Sequence, residues 1–467
     1  MAEQELPIEQ EDPLPTPTDI AWVELGKKVE ESTGISVIYE SQHQFSEGMT
    51  AARFGLTNGL KVVLMRDRRA PVFTYQTWFR VGSRNEKPGQ TGLAHLFEHL
   101  MFKATSRNPA GTFDREMESR GSETNAATWV DWTYYTQALV SVADNFETVV
   151  GFETDRMTGL LLDEETFRSE LEVVKNERRM CIDDSVSGTL TESLYRVAFG
   201  SHAYGWPTLG SMEHLEASST NDLKQFYQAY YAPNNATVVV VGDLDFEIAL
   251  GILAKAYSSI PSQVIPKYVP ALLAEPDNLE LIRLTRPISA PQIAVGFLGL
   301  AQSDPLYPAL EILTELLVNG ESSRLYRRLV IEESLALDIS GYLTPFAERG
   351  LVEFSIVVRP GIKPEHLLGV FQEELDELAR VELSKDEIAK ARNSLELSWL
   401  MSVRTAEGFA EALGHYESNY GDYSLAFGVS EGWAQVDSLK CNELAARIFE
   451  SVKRVAIVVD APNSEED

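Results

Sequence analysis

The residues best suited to chemistry are His95-Leu96-Phe97-Glu98-His99, in a stretch from Thr91 to Ala104 where Leu93, Leu96, Phe97, Leu100 and Met101 recur at helical spacing. Histidines four apart leave the same face of a helix, one turn above the other. That places two imidazole nitrogens where one Zn²⁺ takes ligands, at ~2.0–2.1 Å each. Glu98 flanks such a metal without having to bind it, and a carboxylate there can take a proton from a water that the metal has made acidic. A solvated helix face is the plainer alternative, but this helix is mostly apolar and its polar residues need partners.

A catalytic zinc wants a third protein ligand and a fourth position for water. The acidic segment near 164–183 reads as an amphipathic helix on which Glu170 and Glu177, two turns apart, share a face. Spacing does not choose between them. The chain has only two cysteines, Cys181 and Cys441, so a disulfide framework or an all-cysteine metal site is excluded.

The elements that must position these residues form a mixed α and β pattern. Strands are predicted at Leu60–Met65, Pro71–Val81, Thr133–Val142 and Ala236–Val241, with helices near 111–121, 144–160 and 219–230. Residues 261–276 hold four prolines (Pro261, Pro266, Pro270, Pro276) and read as a linker. Beyond it the order repeats: strands Leu279–Leu284, Gln292–Leu298 and Gly350–Val358, helices over Leu306–Val318, 364–380 and 384–401, and a closing RVAIVVD (454–460) that echoes ATVVVVGD (236–243). The 467 residues thus divide into an acidic, largely disordered tail (1–45, with one helix around Ala21–Glu31), a metal-binding half (46–260), the linker, and a homologous half without a metal site (277–467). The expected fold is α+β: two homologous α/β sandwiches, each an antiparallel-rich sheet flanked by helices.

Asp plus Glu exceed Lys plus Arg by 71 to 40, a formal charge of −31. That field disfavours nucleic acid and anionic lipid as partners. The first 20 residues carry six acids and no Lys or Arg, unlike a secretory or mitochondrial leader, and no apolar run approaches a membrane span. The expectation is a cytoplasmic rather than a periplasmic protein.

Together these residues resemble the pitrilysin-like inverzincins, in which H-x-x-E-H reverses the order of H-E-x-x-H. The resemblance runs from about Gly59 to the C-terminus. It is carried by GLAHLFEHLMFK (92–103), NAAT (125–128), EVVKNERR (172–179), HAYGWPTLG (202–210) and YAPNNATVVVVGD (231–243). It implies a zinc endopeptidase, with one Zn²⁺ per chain held by His95, His99 and Glu177, Glu98 as base, and Glu170 supporting the site from behind. It also implies that Asn125 and Ala126 hold an extended peptide beside an edge strand, inside a clamshell chamber that admits short or unfolded substrates.

Active relatives carry an Arg and a Tyr seven apart after a G-x-x-S-R-L-like turn. Here the turn is Gly320–Leu325, and the two positions hold Val330 and Leu337. The resemblance therefore implies a heterodimer with a homologous subunit that supplies the Arg/Tyr pair. It leaves two other readings: a non-catalytic core subunit of the same fold, and a processing peptidase for targeting sequences.

Overall fold

The computed structural model describes residues 17–46, 48–274 and 280–462. The first sheet has seven strands: β1 (Val37–Ser46), β2 (Met49–Leu56), β3 (Lys61–Arg66), β4 (Val72–Phe79), β5 (Glu123–Thr128), β6 (Thr133–Val140) and β7 (Ala236–Gly242). They lie in the order β1-β2-β3-β7-β4-β6-β5. The second sheet has five: β8 (Glu280–Thr285), β9 (Gln292–Leu298), β10 (Ala336–Leu343), β11 (Leu351–Val358) and β12 (Val455–Asp460), in the order β10-β11-β9-β12-β8. Read from the other end, β8-β12-β9-β11-β10 matches β3-β7-β4-β6-β5 strand for strand. Each sheet has a single parallel pair at the equivalent place, β3 with β7 and β8 with β12. The repeat inferred from element order is a repeat of topology, and β5 and β10 are the corresponding edges.

One face of each sheet packs on helices of its own half. Phe73, Tyr75, Tyr135, Val238 and Val240 meet Leu96, Phe97 and Phe167 in the first core; Ile293, Val295, Phe354 and Val458 meet Leu310, Leu313 and Phe371 in the second. The opposite faces are covered by exchange. The helix Val186–Phe199, from the first half of the chain, lays Leu190, Leu194 and Ala198 on β9 and β12, while Ala406–Tyr420 lays Phe409, Ala410 and Leu413 on β4 and β7. Burying apolar surface at ~25 cal/mol per Å² makes this exchange a strong tie between the halves. The buried Glu417 carboxylate fixes the second crossing by accepting from Arg53 at 2.9 Å.

Two expectations are corrected. The tail predicted over 1–45 ends earlier: Pro17–Thr33 is a helix and Val37–Ser46 an edge strand paired with β2. Val29 is fully buried beneath them, so a few apolar residues in an acidic segment suffice to dock it. Residues 1–16 and 275–279 lie outside the described residues. The helix predicted over Thr91–Ala104 is shorter, Leu93–Leu100; Gly92 in the left-handed region (φ 93°) sets its start, and Met101 caps its end. Among the described residues no helix is long and apolar enough to cross a membrane.

Candidate metal centre

The helix Leu93–Leu100 owes its place to both ends of its sequence. Leu93, Leu96, Phe97 and Leu100 are buried in the first core, which turns His95 and His99 toward the helix Glu164–Arg178 and leaves Glu98 beside Thr128 of β5. Its first turn has unsatisfied N–H groups. The Glu86 carboxylate fills that need, accepting from Gly92 N–H at 3.0 Å and Ala94 N–H at 2.8 Å. Burial pushes the Glu86 carboxyl up to about 8, against the pull of those backbone donors.

Across from it, Glu177 brings its Oε2 to 3.4 Å from His99 Nε2 and 3.7 Å from His95 Nε2. The three donor atoms lie within 4.8 Å of one another, the one such group of His, Cys, Asp and Glu among the described residues. Ligands at ~2.05 Å on a tetrahedral ion stand ~3.3 Å apart, so the set fits one Zn²⁺ with little movement. Burial, with His99 beside it, pushes His95 down to about 3, so the imidazole is neutral with a lone pair to give. Glu170 sits on the far side of the pair, its Oε2 3.7 Å from His99 Nδ1 and its Oε1 2.8 Å from Lys103 Nζ. The two glutamates that spacing left equivalent are thus separated: Glu177 faces both histidines, and Glu170 stands behind one.

Glu98 is not part of that donor set. Burial pushes its carboxyl up to about 7; a Thr128 hydrogen bond lowers it and the Glu177 charge adds to the rise. Its Oε2 is buried and has no hydrogen-bond partner. A buried carboxylate with an unused lone pair and a pKa near neutrality suits a proton carrier.

Asn125 and Ala126 lie on β5, whose outer edge pairs with no strand among the described residues and which packs against the histidine helix. Asn125 is exposed, and its Oδ1 accepts from Ala126 N–H at 2.9 Å. Val330 packs partly buried on the second core, and Leu337, 44% exposed, is on β10. Neither offers a polar group. Sequence reading missed Glu86, Arg178 and Tyr342. Tyr342 of β10 stacks on Trp129 just beyond β5, ring centroids 6.5 Å apart, so the two equivalent edges meet there. No spacing rule flags such contacts between distant segments.

Residues 61–211 match the family model described as Insulinase (Peptidase family M16), and 218–395 match that of the Peptidase M16 inactive domain. The chain belongs to the pitrilysin-like M16 family. This M16 chain is 28% identical over 367 residues to the zinc protease PqqE of Helicobacter pylori, covering 77% of the chain and 82% of that relative. It is 25% identical over 415 residues to a probable mitochondrial-processing peptidase subunit beta of Arabidopsis thaliana, covering 86% and 74%. A solved protease structure from Helicobacter pylori superposes with a TM-score of 0.83 at 26% identity, over 88% of this chain and 99% of that one. The periplasmic protease PqqL of Escherichia coli shares the fold (TM-score 0.72, 18% identity) over 91% of this chain but only 48% of its own.

Proposed function

We propose that this M16 chain is the metal-bearing subunit of a zinc endopeptidase acting on short or unfolded peptides. The observation that carries the reading is the convergence of His95, His99 and Glu177 within 4.8 Å, with Glu98 beside them and outside the set. Bound there, Zn²⁺ would supply a Lewis acid that polarises water and the scissile carbonyl. Glu98 accepts the proton of the attacking water at Oε2 and returns it to the departing amine. Asn125 and Ala126 hold the peptide as an added strand on β5, so that main-chain hydrogen bonds give affinity. A homologous subunit supplies the Arg and Tyr that Val330 and Leu337 do not.

The test is metal analysis of the purified chain together with cleavage of an unstructured peptide pool, with and without chelator. Stoichiometric zinc and chelator-sensitive cleavage, by the chain alone or with its homologous partner, are the expected results. A chain that takes up no zinc and cleaves nothing in either state would instead fit a non-catalytic core subunit. Cleavage confined to targeting sequences would make it a processing peptidase.

A further inference from the structure

A cavity of about 600 Å³ opens between the outer face of the first sheet and the helices Tyr307–Val318, Lys385–Ser402 and Ala406–Tyr420. Its walls are aromatic, with Trp132, Tyr134, Trp399 and Tyr416 among them, and no Lys or Arg lines it. Two carboxylates reach it. Glu311 accepts from the Trp433 indole N–H at 2.7 Å, and Glu411 from the Tyr134 hydroxyl at 3.0 Å. Neither forms an ion pair among the described residues, and Glu407 stands close enough to Glu411 to add to the negative field. His415 also lines the cavity, but burial keeps it neutral, and it is engaged with Gln302 at 2.7 Å. Burial pushes the Glu311 carboxyl up to about 7, as a carboxylate without a counter-charge requires.

Each feature asks for the same kind of guest. Aromatic faces attract cations, most strongly when water is excluded. A nearby cation favours the ionised form of a carboxylate that burial disfavours. Lys and Arg side chains combine a charged head with an apolar stem that covers aromatic surface. The sheet register shows how such a side chain would arrive. On β6, Tyr135 lies opposite Ala126 and belongs to the core under the histidine helix. Tyr134 lies opposite Ala127 and points the other way, stacked on Trp78 at 4.3 Å and lining the cavity. A strand added to β5 inherits this alternation. Every second side chain faces the histidine helix, and the ones between face the cavity side.

We infer that the cavity is a specificity pocket for a basic side chain of the peptide lying along β5, selected by Glu311 and Glu411. The inference rests on the reading of β5 as the substrate edge.

The experiment measures binding to the zinc-loaded Glu98→Gln protein, in which turnover of the probe is expected to be lost. The probes are unstructured fluorescent peptides, acetylated and amidated, identical except for Lys, Gln or Glu scanned through each position. Lys is expected to bind about tenfold more tightly than Gln at the position facing the cavity and no more tightly at its two immediate neighbours, which face the histidine helix, and Glu more weakly. Added separately, Glu311→Gln and Glu411→Gln should each shrink the Lys preference severalfold while leaving the Gln peptide within about twofold. Either variant suffices if the other fails to fold. Equal binding of Lys and Gln peptides, or a preference untouched by both substitutions, overturns the pocket. So does a lysine-free peptide with an unblocked amino terminus that binds as tightly, since the guest would then be a chain end. Cleavage by the unsubstituted chain, alone and mixed with a homologous subunit bearing the Arg/Tyr pair, is scored separately: Lys-selective binding with cleavage in neither state leaves the pocket standing and removes the peptidase reading, and cleavage without selectivity does the reverse.

Discussion

Arg178 donates from Nη1 to the carbonyl oxygen of Gly210 at 2.5 Å. Arg178 follows Glu177 directly, and its guanidinium is also held by Glu192 at 2.8 and 3.0 Å. Gly210 lies against Gly92, the residue that starts the histidine helix; a Cβ on Gly92 would stand 2.8 Å from the Gly210 Cα. Both helices of the metal centre are therefore pinned to one loop, which sets their separation before any metal arrives.

Gly92→Ala tests that pinning. The substitution adds a methyl group where there is no room, at φ 93°, which a non-glycine residue adopts at a cost of about 1 kcal/mol. Overpacking adds about 1–3 kcal/mol. Chemical denaturation should show a loss of about 2–4 kcal/mol, and zinc titration a weaker affinity although no ligand has changed. Unchanged stability and affinity would mean the loop does not set the spacing.

Ligands and base separate by substitution. His95→Ala and His99→Ala should reduce bound zinc to background by elemental analysis, because each removes one of three donors. Glu98→Gln should keep a full complement of metal and lose hydrolysis, since an amide has no lone pair basic enough to take the proton. Full zinc in His95→Ala would sink the ligand assignment; undiminished turnover in Glu98→Gln would sink the base.

The two glutamates should differ in the same way as their positions. Glu177→Gln removes the anion facing both histidines and should weaken zinc binding severely. Glu170→Gln leaves the donors and disturbs only the carboxylate between His99 Nδ1 and Lys103. Losses of about 10–100-fold are typical of that kind of change. A competitive zinc titration that ranks them the other way would reverse their roles.

Stability of the metal-free protein should fall as pH rises from about 6.5 to about 8, above the range in which His95 and His415, held neutral by burial, pull the other way. Glu98 and Glu86 have folded-state values raised to about 7 and about 8 by burial, above their ordinary 4.5. In that window the folded state binds more protons than the unfolded state, so unfolding becomes easier with rising pH, by up to ~1.4 kcal/mol per pH unit for each group. Glu98→Gln should flatten part of the slope in thermal melts. Parallel pH profiles of the unsubstituted and Glu98→Gln proteins would show that Glu98 is not held protonated.

How much of this was legible depended on distance along the chain. His95, Glu98 and His99 lie within one helical turn, so their geometry follows from helix periodicity alone. Glu177 required the resemblance, because nothing in an amphipathic pattern says which face of Glu164–Arg178 meets which neighbour. The strands β3, β4, β6, β7, β8, β9, β11 and β12 show in composition. The edge β5 (ETNAAT) does not, since its outer side needs no apolar alternation. The exchange of Val186–Phe199 and Ala406–Tyr420 was invisible for a different reason: amphipathicity announces that a helix will pack, not on which sheet. Glu86, Gly210 and the Trp129–Tyr342 contact are tertiary accidents of the same kind.

The last prediction concerns the missing anchor. Val330 is packed on the second core and Leu337 stands 44% exposed on β10, so neither can donate a hydrogen bond to a substrate carbonyl. Loss of one such donor costs ~10²–10³ in rate, ~3–4 kcal/mol, in enzymes where it has been measured. Loss of an orienting Arg as well should leave the chain nearly inactive by itself. The purified chain, loaded with zinc and offered mixed short peptides, is therefore expected to turn over slowly. A homologous M16 chain bearing the Arg/Tyr pair should raise kcat by at least about 10² on mixing, with the two co-eluting in size-exclusion chromatography. Robust turnover by the lone chain or its homodimer would overturn this division of labour. Tyr342, already at the end of β5 against Trp129, would then be the first residue of this chain to substitute, as Tyr342→Phe.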